Sequence, residues 1–155
     1  MYKRQAVAKV TARLPAAFHP VPPRALEVRR LNPAIEAGSA GAYYSGGDPG
    51  VITLNLGKPS EHALWRLPAL MHHEGIPGHH HQATTLRSSG NLSLFRRIVR
   101  FSAYTEGWAL YAEQVAGELG VHDDDPAARI GMLQSRLFRA ARIVCLLYTS
   151  PSPRD

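Results

Sequence analysis

The spacing of apolar positions changes character along the chain. From residue 6 to 50 little regular period is visible. "LPAAFHPVPPRALEVRRLNP", Leu14 to Pro33, carries five prolines and predicts extended or looped chain, with a short strand at Ala25 to Arg29. "EAGSAGAYYSGGDPG", Glu36 to Gly50, predicts a loop that closes in the turn Asp48-Pro49-Gly50. "VITLNL", Val51 to Leu56, then alternates Ile52, Leu54 and Leu56 with Thr53 and Asn55, which predicts a half-buried strand. After Pro59 the period becomes helical. Ser60 caps a short helix through Leu67, and Pro68 opens a second that carries Leu70, Met71, His73 and Glu74. Pro77-Gly78 interrupts it, and a helical register resumes at His79 and stops near Gly90. Asn91 or Ser93 opens a helical region ending at Gly120, with Gly107 marking a bend or a close contact. Asp125-Pro126 starts a last helix with Ile130, Leu133, Leu137, Ala141 and Val144 on one face. The expected fold is mainly α (α+β): a helical core with a small edge strand or sheet before the histidine-bearing helix.

With 155 residues and 45% apolar content the chain reads as one globular domain. No apolar run is long enough to predict a membrane span. The ends read differently from the rest. "CLLYTSPSPRD", Cys145 to Asp155, resembles a translated sequencing adapter, and "MYKRQ", Met1 to Gln5, resembles its counterpart from the other strand. Residues 1–5 and 145–155 are therefore expected to be artefactual, and residues 6–144 to be a partial domain truncated at both ends. Setting the ends aside removes Cys145, the only cysteine, and lowers the formal net charge of +6 by taking out Lys3, Arg4, Arg154 and Asp155. No nucleic-acid partner is expected, because the remaining arginines are not interleaved with aromatics in a stacking pattern.

The chemistry concentrates in "LMHHEGIPGHHHQ", Leu70 to Gln82, which holds five of the eight histidines. A zinc hydrolase needs three protein ligands, an open position and a carboxylate to take a proton from water. In the helical H-E-x-x-H pattern the two histidines lie one turn apart, and the glutamate faces the water. Here His73-Glu74 supplies the first half, but position 77 is proline. On an unbroken helix His79 would stand about 9 Å along the axis from His73 and roughly 120° around it, too far to share an ion. Two residues looped out at Pro77-Gly78 would return His79 to the ligand position. Whether His79 or His80 takes it is open at this level. A third ligand is expected from "AYTEGWALYAE", where Glu106 stands among Tyr104, Trp108 and Tyr111; a carboxylate buried there would be costly without a partner. Against this stand plainer readings: a solvated histidine cluster, a helix-terminal carboxylate, packing tyrosines at Tyr43 and Tyr44, and a basic face at Arg136, Arg139 and Arg142.

Taken together and in order, "HEGIPGHHHQ", "AYTEGWALYAE" and "LFRAARIV" resemble the bacterial "domain of unknown function 885" family, with "AGSAGAYYSGGDPGVITLNL" similar to its segment before the motif helix. The family's pattern reads H-E-x-x-P-G-H-H, so Pro77 belongs to it. The resemblance implies a zincin-like, gluzincin-like metallopeptidase with Zn2+ held by His73, His79 and Glu106. It implies Glu74 as general base on zinc-bound water. His81 stands where the family usually has leucine and adds a competing imidazole. Family proteins are several times longer.

The reading that follows is zinc-dependent peptide hydrolysis. Tyr104 or Tyr111 would donate a hydrogen bond to the oxyanion. Tyr43, Tyr44, Arg139 and Arg142 would contact the peptide substrate, and the Val51–Leu56 segment, as an edge strand, would pair with it. The rival reading is a non-catalytic metal- or peptide-binding domain of the same fold.

Overall fold

The computed structural model of the protein describes residues 2–19, 25–39 and 41–149. The proline-rich stretch at 20–24 and the tail from 150 lie outside these. The elements run α1 (Tyr2–Arg13), β1 (Leu26–Arg30), β2 (Ala42–Ser45), β3 (Gly50–Leu54), α2 (Leu67–Glu74), α3 (His79–Ser88), α4 (Leu94–Ile98), α5 (Ser102–Glu118) and α6 (Pro126–Thr149). The fold is mainly helical with one small sheet, in line with the α+β expectation.

Helix α1 was not visible in the sequence pattern. Its apolar stripe is short, yet Ala6, Val10 and Leu14 recur at the four-residue spacing that lines one helix face. Val10 and Leu14 are fully buried. The remaining residues are mostly alanine, lysine, arginine and glutamine, which favour helix. Arg13 donates to the Leu119 carbonyl at 2.8 Å, and Lys9 pairs with Asp124, so α1 is tied to the turn after α5.

The sheet order is β1-β3-β2, with β1 parallel and β2 antiparallel to β3. The alternation read in Val51 to Leu56 holds, with Ile52 and Leu54 buried. Its place as an edge strand does not: β3 is the centre of the sheet. The residues read as a Gly/Ser loop contain β2, which folds back on β3 through the 46–49 turn and takes the edge position. Gly41 accepts from the Asn55 N–H at 2.9 Å. In an antiparallel ladder the bonded pairs alternate, so Tyr43 and Ser45 face β3, whereas the main-chain groups of Ala42 and Tyr44 point away from it. Among the described residues no strand pairs with that side of β2.

Helix α2 is the centre of the molecule. Leu67, Pro68, Ala69, Met71, His72, His73 and Glu74 are all buried. Met71 joins Ile52 and Leu54 under the sheet, with Val7, Leu26 and Tyr44 packed around them. Val10, Ala116 and Val121 form a second cluster, between α1 and the C-terminal part of α5. A helix buried on every side keeps polar residues only where they have work or partners, and this one buries three in succession.

Other expectations shift in detail. Instead of a helix from Ser60, two 3-10 turns span Pro59–Glu61 and Leu64–Arg66. The helical region expected up to Gly120 is divided between α4 and α5, because Val99 turns extended (φ −75°, ψ 125°). Gly107 lies inside α5, and a Cβ built there meets nothing within 4 Å, so it marks no close contact. On α6 the face carrying Ile130, Leu133, Leu137 and Val144 is exposed, while Ala128, Gly131 and Met132 are buried. Gly131 is the contact point: a Cβ there would strike the Trp65 carbonyl oxygen. No described helix is long and apolar enough to cross a membrane.

Candidate metal centre

Helix α2 ends at Glu74, four residues loop out, and α3 begins at His79. The Ile76–Pro77 peptide is cis. The N–H groups of His80 and His81 both reach back to the Gly75 carbonyl, at 3.1 and 3.3 Å. Trp108 of α5 donates its indole N–H to the Pro77 carbonyl at 3.0 Å. Gly78 passes so close to α2 that a Cβ would collide with the carbonyls of His72 and His73. Proline stops the first helix and glycine permits the second to start against it.

This junction sets His73 and His79 edge to face, their ring centroids 4.9 Å apart. Glu106, on α5, reaches both: one carboxylate oxygen is 3.5 Å from His73 Nε2 and the other 3.5 Å from His79 Nε2. The three residues form a group able to hold a metal ion, all candidate donor atoms lying within 4.8 Å of one another. The separations fit one ion. Ligands about 2.0–2.1 Å from a tetrahedral zinc stand roughly 3.3–3.5 Å apart, and two imidazoles with a carboxylate are an ordinary zinc donor set.

His80 points the other way. It is buried, its Nδ1 lies 3.2 Å from the Tyr44 hydroxyl, and its ring leaves no room for a side chain at Gly50. His81 packs its ring against Phe18, 4.9 Å away, so it does not crowd the triad. Of the candidates on α3, His79 is the one that meets His73 and Glu106.

Glu106 is not the buried carboxylate that its aromatic surroundings suggested; its side chain is 62% exposed. The buried one is Glu113, two turns further along the same face of α5 and 1% exposed. Its Oε1 lies 2.8 Å from His73 Nδ1 and 3.1 Å from Arg139 Nη1. Arginine carries donors only, so although Arg139 Nη2 is 3.1 Å from His73 Nδ1, the carboxylate is the group that accepts from both. The proton then sits on Nδ1, and the Nε2 lone pair faces Glu106 and His79. The i, i+7 spacing of two glutamates within "TEGWALYAE" was the available signal for Glu113.

Glu74 is buried beside the triad. Burial pushes its carboxyl above the usual carboxylate range, partly offset by His73 and by a hydrogen bond from the Tyr44 N–H. His79 is held below the ordinary histidine value, first by burial and then by the charge of His73. Both shifts are those of a compact, partly dehydrated site.

The remaining predicted residues spread around this centre. Tyr44 and Tyr104 line a groove of about 660 Å³ that His79 and Glu106 also border. Tyr111 stands half exposed with its ring edge-on to Trp108. Tyr43, facing away from Tyr44 along β2, is 42% exposed. Arg142 stacks on Phe138, and Arg139 is engaged by Glu113.

Residues 2–145 match the family model described as "Bacterial protein of unknown function (DUF885)". Among solved structures, the crystal structure of a candidate lipoprotein from Colwellia psychrerythraea is similar at a TM-score of 0.87 and 37% identity. The match covers 92% of this chain and 25% of that one, so this chain spans a quarter of the length of that protein. No curated protein matches.

Proposed function

The chain belongs to the bacterial DUF885 family, and from that premise we propose that it forms the metal-binding core of a zinc-dependent, zincin-like peptidase. The observation that carries the reading is the meeting of His73 Nε2, His79 Nε2 and the Glu106 carboxylate at ligand spacing, with Glu74 buried next to the first ligand. When bound, Zn2+ would supply Lewis acidity toward a carbonyl and a lowered pKa for water.

The chain's own residues supply the rest. Glu74 accepts a proton from the attacking water and hands it to the leaving amine. Its raised pKa suits both halves of that exchange, since a carboxylate too acidic would hold no proton to return. Glu113 keeps His73 in one tautomer. Tyr104, at the groove, is the phenol available to a developing oxyanion. An extended substrate does not pair with Val51–Leu56, because both sides of β3 are occupied by its neighbouring strands.

The test is a pair of substitutions in a full-length family protein carrying this segment. Glu74→Gln should keep zinc while turnover of peptides falls by roughly 10²- to 10⁴-fold. Glu106→Ala should lower zinc occupancy, because it deletes a ligand. Near-normal turnover of Glu74→Gln would remove Glu74 as the general base, and zinc retention without hydrolysis by the unsubstituted protein would point to a binding domain.

A further inference from the structure

The groove beside the triad is unevenly charged. Its lining includes four arginines, Arg87, Arg96, Arg97 and Arg100, and one carboxylate, Glu106, which the proposed function commits to the metal. Two of the arginines have structural tasks. Arg87 donates to the Gly47 carbonyl at 3.0 Å, bracing the β2–β3 turn, and Arg97 holds the Ser89 and Gly90 carbonyls at 3.4 and 2.9 Å. Carbonyl oxygens leave their charges uncompensated. The guanidinium groups of Arg96 and Arg100 form no hydrogen bond or ion pair among the described residues. Phe95 and Phe101, next in sequence to Arg96 and Arg100, line the same groove and are 64% and 61% exposed. A cleft lined by one sign of charge and walled by apolar surface concentrates an oppositely charged partner. A groove that combines guanidinium groups with exposed phenyl rings suits an extended chain bearing carboxylates, with apolar side chains to cover the phenyl groups.

We propose that the groove along α4 selects peptides carrying a carboxylate on one side of the scissile bond, with Arg96 and Arg100 as the residues that bind it. This inference rests on the peptidase reading of the triad. The carboxylate has two possible sources, an acidic side chain or the C-terminus of the substrate, and both present the same chemistry to a guanidinium.

The experiment uses the zinc-loaded Glu74→Gln form of a full-length parent, titrated with fluorescent peptides of one neutral sequence. Versions with and without glutamates are each made with a free and an amidated C-terminus. The neutral amide should bind weakest, and a carboxylate should tighten binding roughly two- to fivefold, the range expected of partly solvated pairs. Tightening by glutamate with the terminus amidated identifies a side chain as the ligand. Tightening by the free terminus alone identifies the α-carboxylate. Arg96→Gln with Arg100→Gln should erase the preference and leave affinity for the neutral amide and the zinc content unchanged. On the unsubstituted groove, raising salt from about 0.05 to 0.5 M should erase it as well. Equal binding of all four peptides, or a preference indifferent to both arginines and salt, overturns the proposal. Hydrolysis is read separately on the form retaining Glu74: absence of turnover on every peptide would sink the peptidase reading alone, and the titrations would still decide the selectivity.

Discussion

Replacing Glu113 by glutamine tests the least conspicuous part of the centre. The side chain keeps its shape and stays buried, but the carboxylate that collects the His73 Nδ1 and Arg139 Nη1 protons becomes a neutral amide. A hydrogen bond to a charged group contributes about 1.5–3 kcal/mol and a neutral one about 0.5–1.5 kcal/mol. The loss at His73 is therefore about 1–1.5 kcal/mol, or roughly tenfold in zinc affinity, at the lower edge of the 10- to 100-fold typical of outer partners. Arg139 adds little to the cost, because its side chain is 31% exposed and solvent can take over its charge. Glu113→Ala, which deletes the acceptor altogether, should fall nearer 100-fold, and Arg139→Gln should cost only a few-fold. Competition against a chromophoric zinc chelator measures all three, with thermal melts of the metal-free proteins as the control for folding. Unchanged affinity in a folded Glu113→Gln protein would refute the claim that Glu113 orients His73 for a metal.

Burial holds His72 down to about 3, against 6.5 for an ordinary histidine. The unfolded chain therefore binds a proton that the folded chain refuses. Stability is full above about pH 6.5 and falls by up to roughly 1.4 kcal/mol per pH unit as pH drops toward 3, about 2 kcal/mol at pH 5. Denaturant unfolding at pH 7 and 5 should show a shallower pH slope for His72→Leu, and identical slopes would contradict the assignment. Gly78→Ala forces a Cβ onto the His72 and His73 carbonyls, which are backbone and cannot swing aside. A loss of about 3 kcal/mol or more, with reduced zinc uptake, is expected, whereas a melting temperature within a degree or two of the parent's would mean the junction has room. Trp108→Phe should cost about 1 kcal/mol through the unpaired Pro77 carbonyl and leave zinc bound, and a loss of zinc would show that the indole also positions His79.

What the sequence made legible was local. Pro77 and Gly78 foretold the break between α2 and α3, because one removes a backbone donor and the other permits close approach. The alternation of Ile52 and Leu54 foretold a half-buried strand. The position of that strand depended on residues far from it in sequence: β2 was hidden in a stretch whose glycines and serine read as loop, though Ala42-Tyr43-Tyr44 alternates like any edge strand. Helix α1 was missed because its stripe, Ala6, Val10 and Leu14, is short and carries no cap signal. Glu113 was missed for a different reason. A buried acid and an exposed one look alike in "TEGWALYAE", and only the packing of α5 against α2 separates them. The apolar face of α6 shows the reverse error, a helical period read correctly as a face that the described residues do not cover.

The most direct test of the metal centre is a zinc-soaked crystal measured at the zinc absorption edge. One anomalous peak bounded by His73 Nε2, His79 Nε2 and the Glu106 carboxylate, at about 2.0–2.2 Å from each, is the predicted result. A peak held by His80, or by His72 and His122, whose ring centroids lie 5.3 Å apart, or no peak at zinc concentrations that saturate the protein in solution, would contradict it.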